Sequence, residues 1–401
     1  MKTIVIVEIL WNGHHPTYVN LFANILLQQG YQVVVLCSKP EEVFAYIQKN
    51  IPDKLQHLIA DRLDDVSLPP MKLPGMGSLL PTFFRWYTTA SAIKKASQKF
   101  RFDVHCVFFS CLDIFIYYTN SSLRSKFLCQ LVEIIFPFKW IGLLLHTNYD
   151  GAAINPDVYK IIKSKKCQAI TVLNENSASK LENLGKKIFV LPDIADDTFP
   201  DTNYSLAQQV KEKANGRSII GLLGYLEKRK NLISLIEIAK RSIEKPYFFL
   251  FAGFFDENSF SPDEASAIID FYQSNPSNCF FHFERIPLES QFNRLIDQCN
   301  VLYAVYENFP SSSNILTKAA IFQKPLLVAR GYSMANNVKE FNLGISVDSN
   351  NLSEQMIALE TLLDQDQFYK NIDQPKFEEY KRYHSIDNLK SIFNRLFYDF
   401  A

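Results

Sequence analysis

Two stretches of this chain gather cations and hydroxyls where an anion could be held. In GYLEKRKN, residues 224–231, Arg229 and Lys230 stand just ahead of a stretch whose apolar residues at Leu232, Leu235, Ile236 and Ala239 predict a helix. Cations repel the positive end of a helix dipole, so they make poor capping residues there; a bound anion would remove the conflict. Gly224 frees the backbone where the loop turns. A solvated basic turn is the competing reading. In NFPSSSNILTK, residues 308–318, Ser311, Ser312 and Ser313 open a second helix, where unpaired backbone N–H groups and hydroxyls suit phosphate. Ser311, Asn314 and Lys318 fall on one polar stripe of that helix, and Ile315, Ala319 and Phe322 on an apolar one. The competing reading is that the serines only cap the helix and Lys318 is solvated.

Histidines and polar loops follow two apolar strands of the first half. Gly13, His14 and His15 lie in WNGHHPTY after the strand predicted at 3–9, and His146 lies in LLLHTNYDG after the strand predicted at 141–145. In a parallel sheet these are the strand ends that meet ligands. A histidine in such a loop is more often a structural or solvent-facing residue than a catalytic one. The chain lacks GxGxxG after its first strand, so the dinucleotide fingerprint is absent.

The elements that must position these residues form two α/β series. The first has strands at 3–9, 33–37, 104–109, 141–145, 169–173 and 186–191, with a helix at 18–29 stopped by Gly30. The second has strands at 218–223, 247–252, 279–283, 301–305, 326–329 and 344–347, with helices at 232–241, 291–298 and 352–363. Polar, turn-rich residues 193–216 join them, and an amphipathic helix is expected in 377–400. Residues 66–86 are apolar and rich in Pro and Gly, which bars one regular helix. They read as a packed loop, a flap over an acceptor, or a patch touching a lipid surface.

Composition narrows the class. With 401 residues, 47% of them hydrophobic, the chain has material for two cores. Lys plus Arg and Asp plus Glu number 42 each, which gives no case for a nucleic acid partner. The seven cysteines include no CxxC pair and lie mostly in apolar runs, as buried thiols of a reducing compartment do. IVIVEI near the N-terminus reads as a strand and not a signal peptide, and no apolar run is long enough to span a bilayer. A cytoplasmic protein is expected.

The ordered set of the Gly13 loop, His146, the turn VLPDI at 190–194, the GxLxxRKN stretch from Gly224 to Asn231 and the region from Glu307 to Pro325 resembles a family 4 glycosyltransferase over almost the whole chain. The resemblance implies the α/β GT-B architecture, two Rossmann-like domains facing each other across a cleft. It implies an acceptor-side domain at 1–195, a donor domain at 196–375 and a helix at 376–401 returning to the first. It implies a nucleotide diphosphate sugar as donor substrate, with no metal or other cofactor, and transfer with retention to a saccharide or lipid-linked acceptor, with peripheral membrane contact at the inner face allowed by residues 66–86. Arg229 and Lys230 would contact the diphosphate with the helix start at 311–313, Glu307 the sugar hydroxyls, and His146 the donor sugar near the reacting centre. The departing phosphate could itself take the acceptor proton.

The chain departs from the family in two places. A second glutamate is usual where, aligned on Pro325, Lys318 stands, and Tyr225 occupies a position where arginine is common. If the helix turns Lys318 toward the ligand, its ammonium would bond the ribose or the diphosphate. A catalytically inactive sugar-nucleotide or glycan-binding partner is the alternative, and an NAD-dependent oxidoreductase fits the sheets but not the missing glycines.

Overall fold

The computed structural model describes residues 1–11, 15–65, 79–116, 122–145, 156–309, 312–364 and 374–398. The chain divides into two units, Met1–Leu191 with Leu389–Ala401, and Pro192–Asn388.

The first unit is built on strands β1 (Thr3–Glu8), β2 (Gln32–Cys37), β3 (Leu58–Arg62), β4 (Val104–Phe109), β5 (Trp140–Leu144), β6 (Cys167–Val172) and β7 (Lys187–Val190). They pair side by side in the order β3-β2-β1-β4-β5-β6-β7, all parallel. Helices α1 (His15–Gln28), α2 (Pro40–Asn50), α3 (Leu79–Phe100), α4 (Ser122–Ile135) and α5 (Glu175–Leu181) make the crossovers. A parallel sheet is covered on both faces, which is why β1 reads as an almost unbroken apolar run and is buried along its whole length. One core layer is aromatic: Trp86 packs against Phe109, Phe115, Phe136 and Trp140 at ring-centre distances of 5.0–5.5 Å. In the other, Phe22 and Phe108 meet Phe393 at 5.2 and 5.8 Å.

The second unit has β8 (Ser218–Leu223), β9 (Tyr247–Ala252), β10 (Cys279–His282), β11 (Val301–Ala304), β12 (Leu326–Ala329) and β13 (Gly344–Val347), again all parallel, in the order β10-β9-β8-β11-β12-β13. Its helices are α6 (Ser205–Ala214), α7 (Leu232–Arg241), α8 (Pro262–Gln273), α9 (Glu289–Gln298), α10 (Asn314–Ile321), α11 (Ser333–Glu340), α12 (Leu352–Leu363) and α13 (Phe377–Tyr383). The last helix, α14 (Ile386–Tyr398), begins in this unit and gives Leu389 onward to the first.

Several sequence expectations change. Of the stretch 66–86 read as a loop, flap or lipid-touching patch, residues 79–86 are the start of α3, with Leu79, Thr82 and Trp86 buried, and 66–78 lie outside the described residues. The tail is two helices, α13 and α14, because Tyr380 and Phe377 are needed in the second core, where Tyr380 packs on Phe341 at 5.0 Å, whereas Phe393 and Phe397 belong to the first. The segment that joins the two series contains α6, whose Ala207, Val210 and Ala214 are buried. Helix α1 starts three residues before the expected Tyr18, so that His15 is its first residue instead of part of a loop.

Candidate functional site

In each sheet the chain changes direction between two adjacent strands, β1 and β4 in one and β8 and β11 in the other. At such switch points the loops leaving the carboxyl ends of the strands splay apart and leave room for a ligand. The sequence-predicted cation cluster sits at the second of these.

Gly224 ends β8 with φ +97°, and Gly253 ends β9 with φ +139°. A Cβ on Gly253 would lie 1.8 Å from the carbonyl oxygen of Gly224, so only glycine lets these two turns touch. The loop then passes through a short 3-10 turn, Lys228–Lys230, and Asn231 in the left-handed conformation before α7 starts. The Arg229 carbonyl accepts the Glu307 N–H at 2.8 Å, which fastens this loop to the one leaving β11.

Lys230 is the unusual member. Its side chain is buried, and Nζ donates to the Leu223 carbonyl oxygen at 2.8 Å and lies 5.4 Å from the centre of the Tyr306 ring. Among the described residues no carboxylate pairs with it. Burial, with the Arg229 charge adding to it and Glu227 opposing, pulls the ammonium down to about 8. Arg229 is ion-paired with Glu227, and its guanidinium lies 4.3 Å from the Phe309 ring centre and 5.6 Å from that of Tyr306. Burial pushes the Tyr306 phenol up to about 12.

Glu307 lines a pocket of about 310 Å³ with Lys228, Asn231, Ile233, Ser234 and Glu264. Burial raises its carboxyl above the ordinary range; Lys228 works against this and Glu264 with it. Lys228 donates to both carboxylate oxygens of Glu264, at 2.7 and 2.8 Å.

The serine helix differs from its expected role. Ser313 is the N-cap of α10 but makes no side-chain cap bond, and Asn314 is the first helical residue. Ser312 Oγ donates to Asp193 Oδ2 at 2.8 Å, and Thr317 Oγ1 donates to the Asp193 carbonyl at 2.8 Å. Asp193 in turn donates its backbone N–H to His384 Nδ1 at 2.9 Å. The Ser312 hydroxyl is therefore engaged with the segment that enters the second unit.

Lys318 corrects the reading of the polar stripe. Its ammonium is buried and donates to the Asp196 carbonyl at 3.0 Å, Glu289 Oε2 at 2.7 Å and Asn293 Oδ1 at 2.6 Å. All three N–H bonds of the ammonium are used inside the unit, so it neither reaches for a ligand nor sits in water. The sequence pattern assigned the side chain to a stripe; the neighbours that α9 supplies were not visible to it.

Of the remaining expected site residues, Gly13, His146 and Ser311 lie outside the described residues. The first switch point nevertheless carries a polar cluster. Glu8, the last residue of β1, is buried and accepts from Leu10 N–H at 2.9 Å, while its other oxygen meets His15 Nδ1 at 2.9 Å and Ser110 Oγ at 3.0 Å. The signal in the sequence was the single charge interrupting IVIVEI, which reads as a break in hydrophobicity unless the strand is known to be buried to its end.

Among the described residues no group of three His, Cys, Asp or Glu could hold a metal ion, and no helix is long and apolar enough to cross a membrane.

No protein-family model and no curated protein sequence matches the chain. Solved structures do. A glycosyltransferase from Rickettsia africae superposes with a TM-score of 0.68 at 13% identity, covering 100% of this chain and 98% of that one. HepE from Anabaena in complex with UDP gives 0.67 at 10% identity with both chains fully covered. Sucrose-phosphate synthase from Thermosynechococcus elongatus gives 0.65 at 12%, covering 100% and 99%. The fold of this chain is the GT-B fold, with its two Rossmann-like α/β domains.

Proposed function

We propose that the chain is a glycosyltransferase of the family 4 kind, moving a sugar from a nucleotide diphosphate sugar to a saccharide or lipid-linked acceptor with retention. The observation that carries the reading is Lys230, a buried ammonium with a single carbonyl partner at the switch point of the second sheet. Burying a cation is costly unless something negative compensates it, and a diphosphate supplies that compensation when it arrives. Arg229 lies beside it, ion-paired with Glu227, and the first turn of α7 has no acidic residue. As the bond from the sugar to the diphosphate breaks, negative charge grows on the leaving oxygens, and this corner stabilises it.

Glu307 borders the same loop and would hold sugar hydroxyls; its raised carboxyl still accepts hydrogen bonds at neutral pH. Gly224 would let the backbone approach the phosphates. Ser313 and Asn314 at the start of α10 would complete the donor contacts, and Gly13 and His146 would serve from the first domain. UDP in the complex of HepE, a GT-B relative by fold, favours a nucleoside diphosphate over a dinucleotide. We place the enzyme in the cytoplasm, meeting a lipid-linked acceptor at the inner face of the membrane.

The test is calorimetric titration with UDP-, GDP-, ADP- and CMP-sugars, followed by assay of nucleotide release. Binding of at least one donor is expected, with turnover. A folded protein that binds none of the four overturns the reading. Binding without any turnover favours the inactive partner protein instead.

A further inference from the structure

The donor reading uses nothing of the outer surface of the first unit, where α4 connects β4 to β5. Its sequence, SLRSKFLCQLVEII, carries apolar residues on more than the one side that packing on a sheet requires. At 100° per residue Ser125, Leu128 and Val132 share one side, and all three are buried. Leu128 and Val132 there join the core of Phe109, Phe136 and Trp140. Leu123, Phe127 and Ile134 fall within about 40° of one another on the opposite side. They are 81%, 55% and 78% exposed. A helix that covers a sheet ordinarily turns polar residues to water on that side, so α4 has a second apolar stripe facing outward.

The charges beside the stripe are mostly of one sign. Arg124 and Lys126, both exposed, flank it on its two sides. The single acidic residue of the helix, Glu133, accepts from Ser164 Oγ and from the Lys165 N–H, the latter at 3.1 Å. Those bonds draw the end of the 3-10 helix Pro156–Lys163 and the turn after it against α4, with Lys163 and Lys165 exposed. Three outward side chains offer on the order of 400 Å² of apolar surface, about half of what one partner gives to a stable protein interface. Two copies meeting through this stripe would also set the cations of one against those of the other. A lipid surface suits both features, because apolar side chains sink past the headgroups while long cationic ones keep their charge among anionic lipids.

We infer that α4 seats the first unit on an anionic lipid bilayer. The helix lies in the plane of the headgroups, with Leu123, Phe127 and Ile134 inserted and Arg124, Lys126, Lys163 and Lys165 at the lipid phosphates. The contact is peripheral, since no described helix is long and apolar enough to cross a membrane. Three inserted side chains and a few cations make a reversible attachment that salt weakens. The inference goes beyond the glycosyl-transfer reading and does not depend on it. Where that reading holds, the attachment keeps the enzyme at the surface that carries a lipid-linked acceptor.

The experiment is flotation of the full chain with vesicles of phosphatidylcholine alone and of phosphatidylcholine with about one-third phosphatidylglycerol, in the absence of any sugar nucleotide. The parent is expected to float with the anionic vesicles and not with the neutral ones, and about 0.5 M salt should release most of it. Leu123→Ser, Phe127→Ser and Ile134→Ser together should lower the partition coefficient at least 10-fold while circular dichroism and the unfolding midpoint stay unchanged. Lys126→Glu with Lys163→Glu should cause a comparable loss on the anionic vesicles. Phe127→Trp reads the contact with the stripe kept apolar: brominated phosphatidylcholine in the anionic vesicles should quench its fluorescence beyond the quenching of the parent. The proposal is overturned by a parent that stays unbound, by equal flotation of the triple serine variant, by flotation as strong with neutral vesicles, or by Phe127→Trp fluorescence quenched no more than the parent's. A sedimentation coefficient that rises with protein concentration only while the stripe is intact would give the face to a second copy instead. Because no donor enters the assay, a chain that binds none of the four sugar nucleotides yet floats here loses the glycosyl-transfer reading and keeps this one.

Discussion

Lys230 Nζ donates to the carbonyl oxygen of Leu223 at 2.8 Å, and no carboxylate among the described residues pairs with it directly, Glu227 acting on its charge without a hydrogen bond. Lys318 in the same unit is also buried but donates to Glu289, Asn293 and the Asp196 carbonyl together. Two buried lysines thus differ in electrostatics: Lys318 has a carboxylate, an amide oxygen and a carbonyl as partners, and Lys230 a single carbonyl. Several consequences can be measured.

Replacing Lys230 by Met should make the unliganded protein more stable and, on the function proposed, weaken donor binding. The folded ammonium is held down at about 8 against an ordinary 10.5, so folding favours the neutral form. Its contribution is fully favourable above the unfolded value and is lost as pH falls through the folded one; at pH 7 it is a cost of up to about 3 kcal/mol. Urea unfolding at pH 7 should show a gain in Lys230→Met that shrinks toward pH 10, while titration with the donor shows at least a 100-fold loss of affinity. Unchanged affinity in that variant would remove Lys230 from the donor site.

Lys318→Met should lose stability instead, about 1–3 kcal/mol, because the amide oxygen of the fully buried Asn293 is left without its donor. Lys318→Glu, which makes the sequence more like family 4 glycosyltransferases, should be worse, since a carboxylate would face three acceptors. Chemical denaturation of both variants, with donor affinity measured on the fraction that remains folded, separates this from a direct ligand contact. Stability close to that of the parent in both would contradict the clamp described here.

His384 gives the second unit an acid-sensitive joint. Its Nδ1 accepts from the Asp193 N–H at 2.9 Å, and burial pulls the imidazole down to about 4 from an ordinary 6.5. A depressed value means the stabilisation is complete above pH 6.5 and disappears as pH falls toward 4, a swing of up to about 3 kcal/mol. Unfolding free energies measured between pH 7 and 4 should fall more steeply for the parent than for His384→Gln. Parallel pH curves would show that the imidazole is not the group responsible.

These variants also mark what the sequence could and could not reveal. Most strands along the chain and the loop of Gly224–Lys230 between a strand and a helix were legible, because apolar runs that alternate with amphipathic ones announce parallel crossovers, and cations before a helix conflict with its dipole. The partners of Lys318 were not, because α9 and the Asp196 segment approach it from 25 and 122 residues away along the chain. Strand β3 was also hard to see: its interior residues are only half-covered and Asp61 and Arg62 interrupt any alternation. Glu8 was visible only as a blemish in an apolar run, and its meaning came from Ser110, which lies 102 positions away. Helical and strand periodicity report which face is buried; they are silent on what a buried polar group touches.

Glu307 offers the sharpest separation of sugar from nucleotide. Its backbone N–H is tied to the Arg229 carbonyl, so the loop is fixed to the cation corner, while its carboxyl lines the pocket that Lys228 and Glu264 also border. If it holds sugar hydroxyls, Glu307→Gln removes charge from that contact but leaves the diphosphate corner and the loop geometry intact. Affinity for the nucleotide sugar should then fall by about 10- to 100-fold, the span set by 1.5–3 kcal/mol for hydrogen bonds to a charged group, while affinity for the free nucleoside diphosphate stays within twofold. Parallel titrations with UDP and UDP-glucose, or with the pair matching whichever donor binds, measure the two separately. An equal loss for both ligands would mean that Glu307 acts through the Arg229 loop and not on the sugar, and no loss for either would leave the pocket outside the donor site.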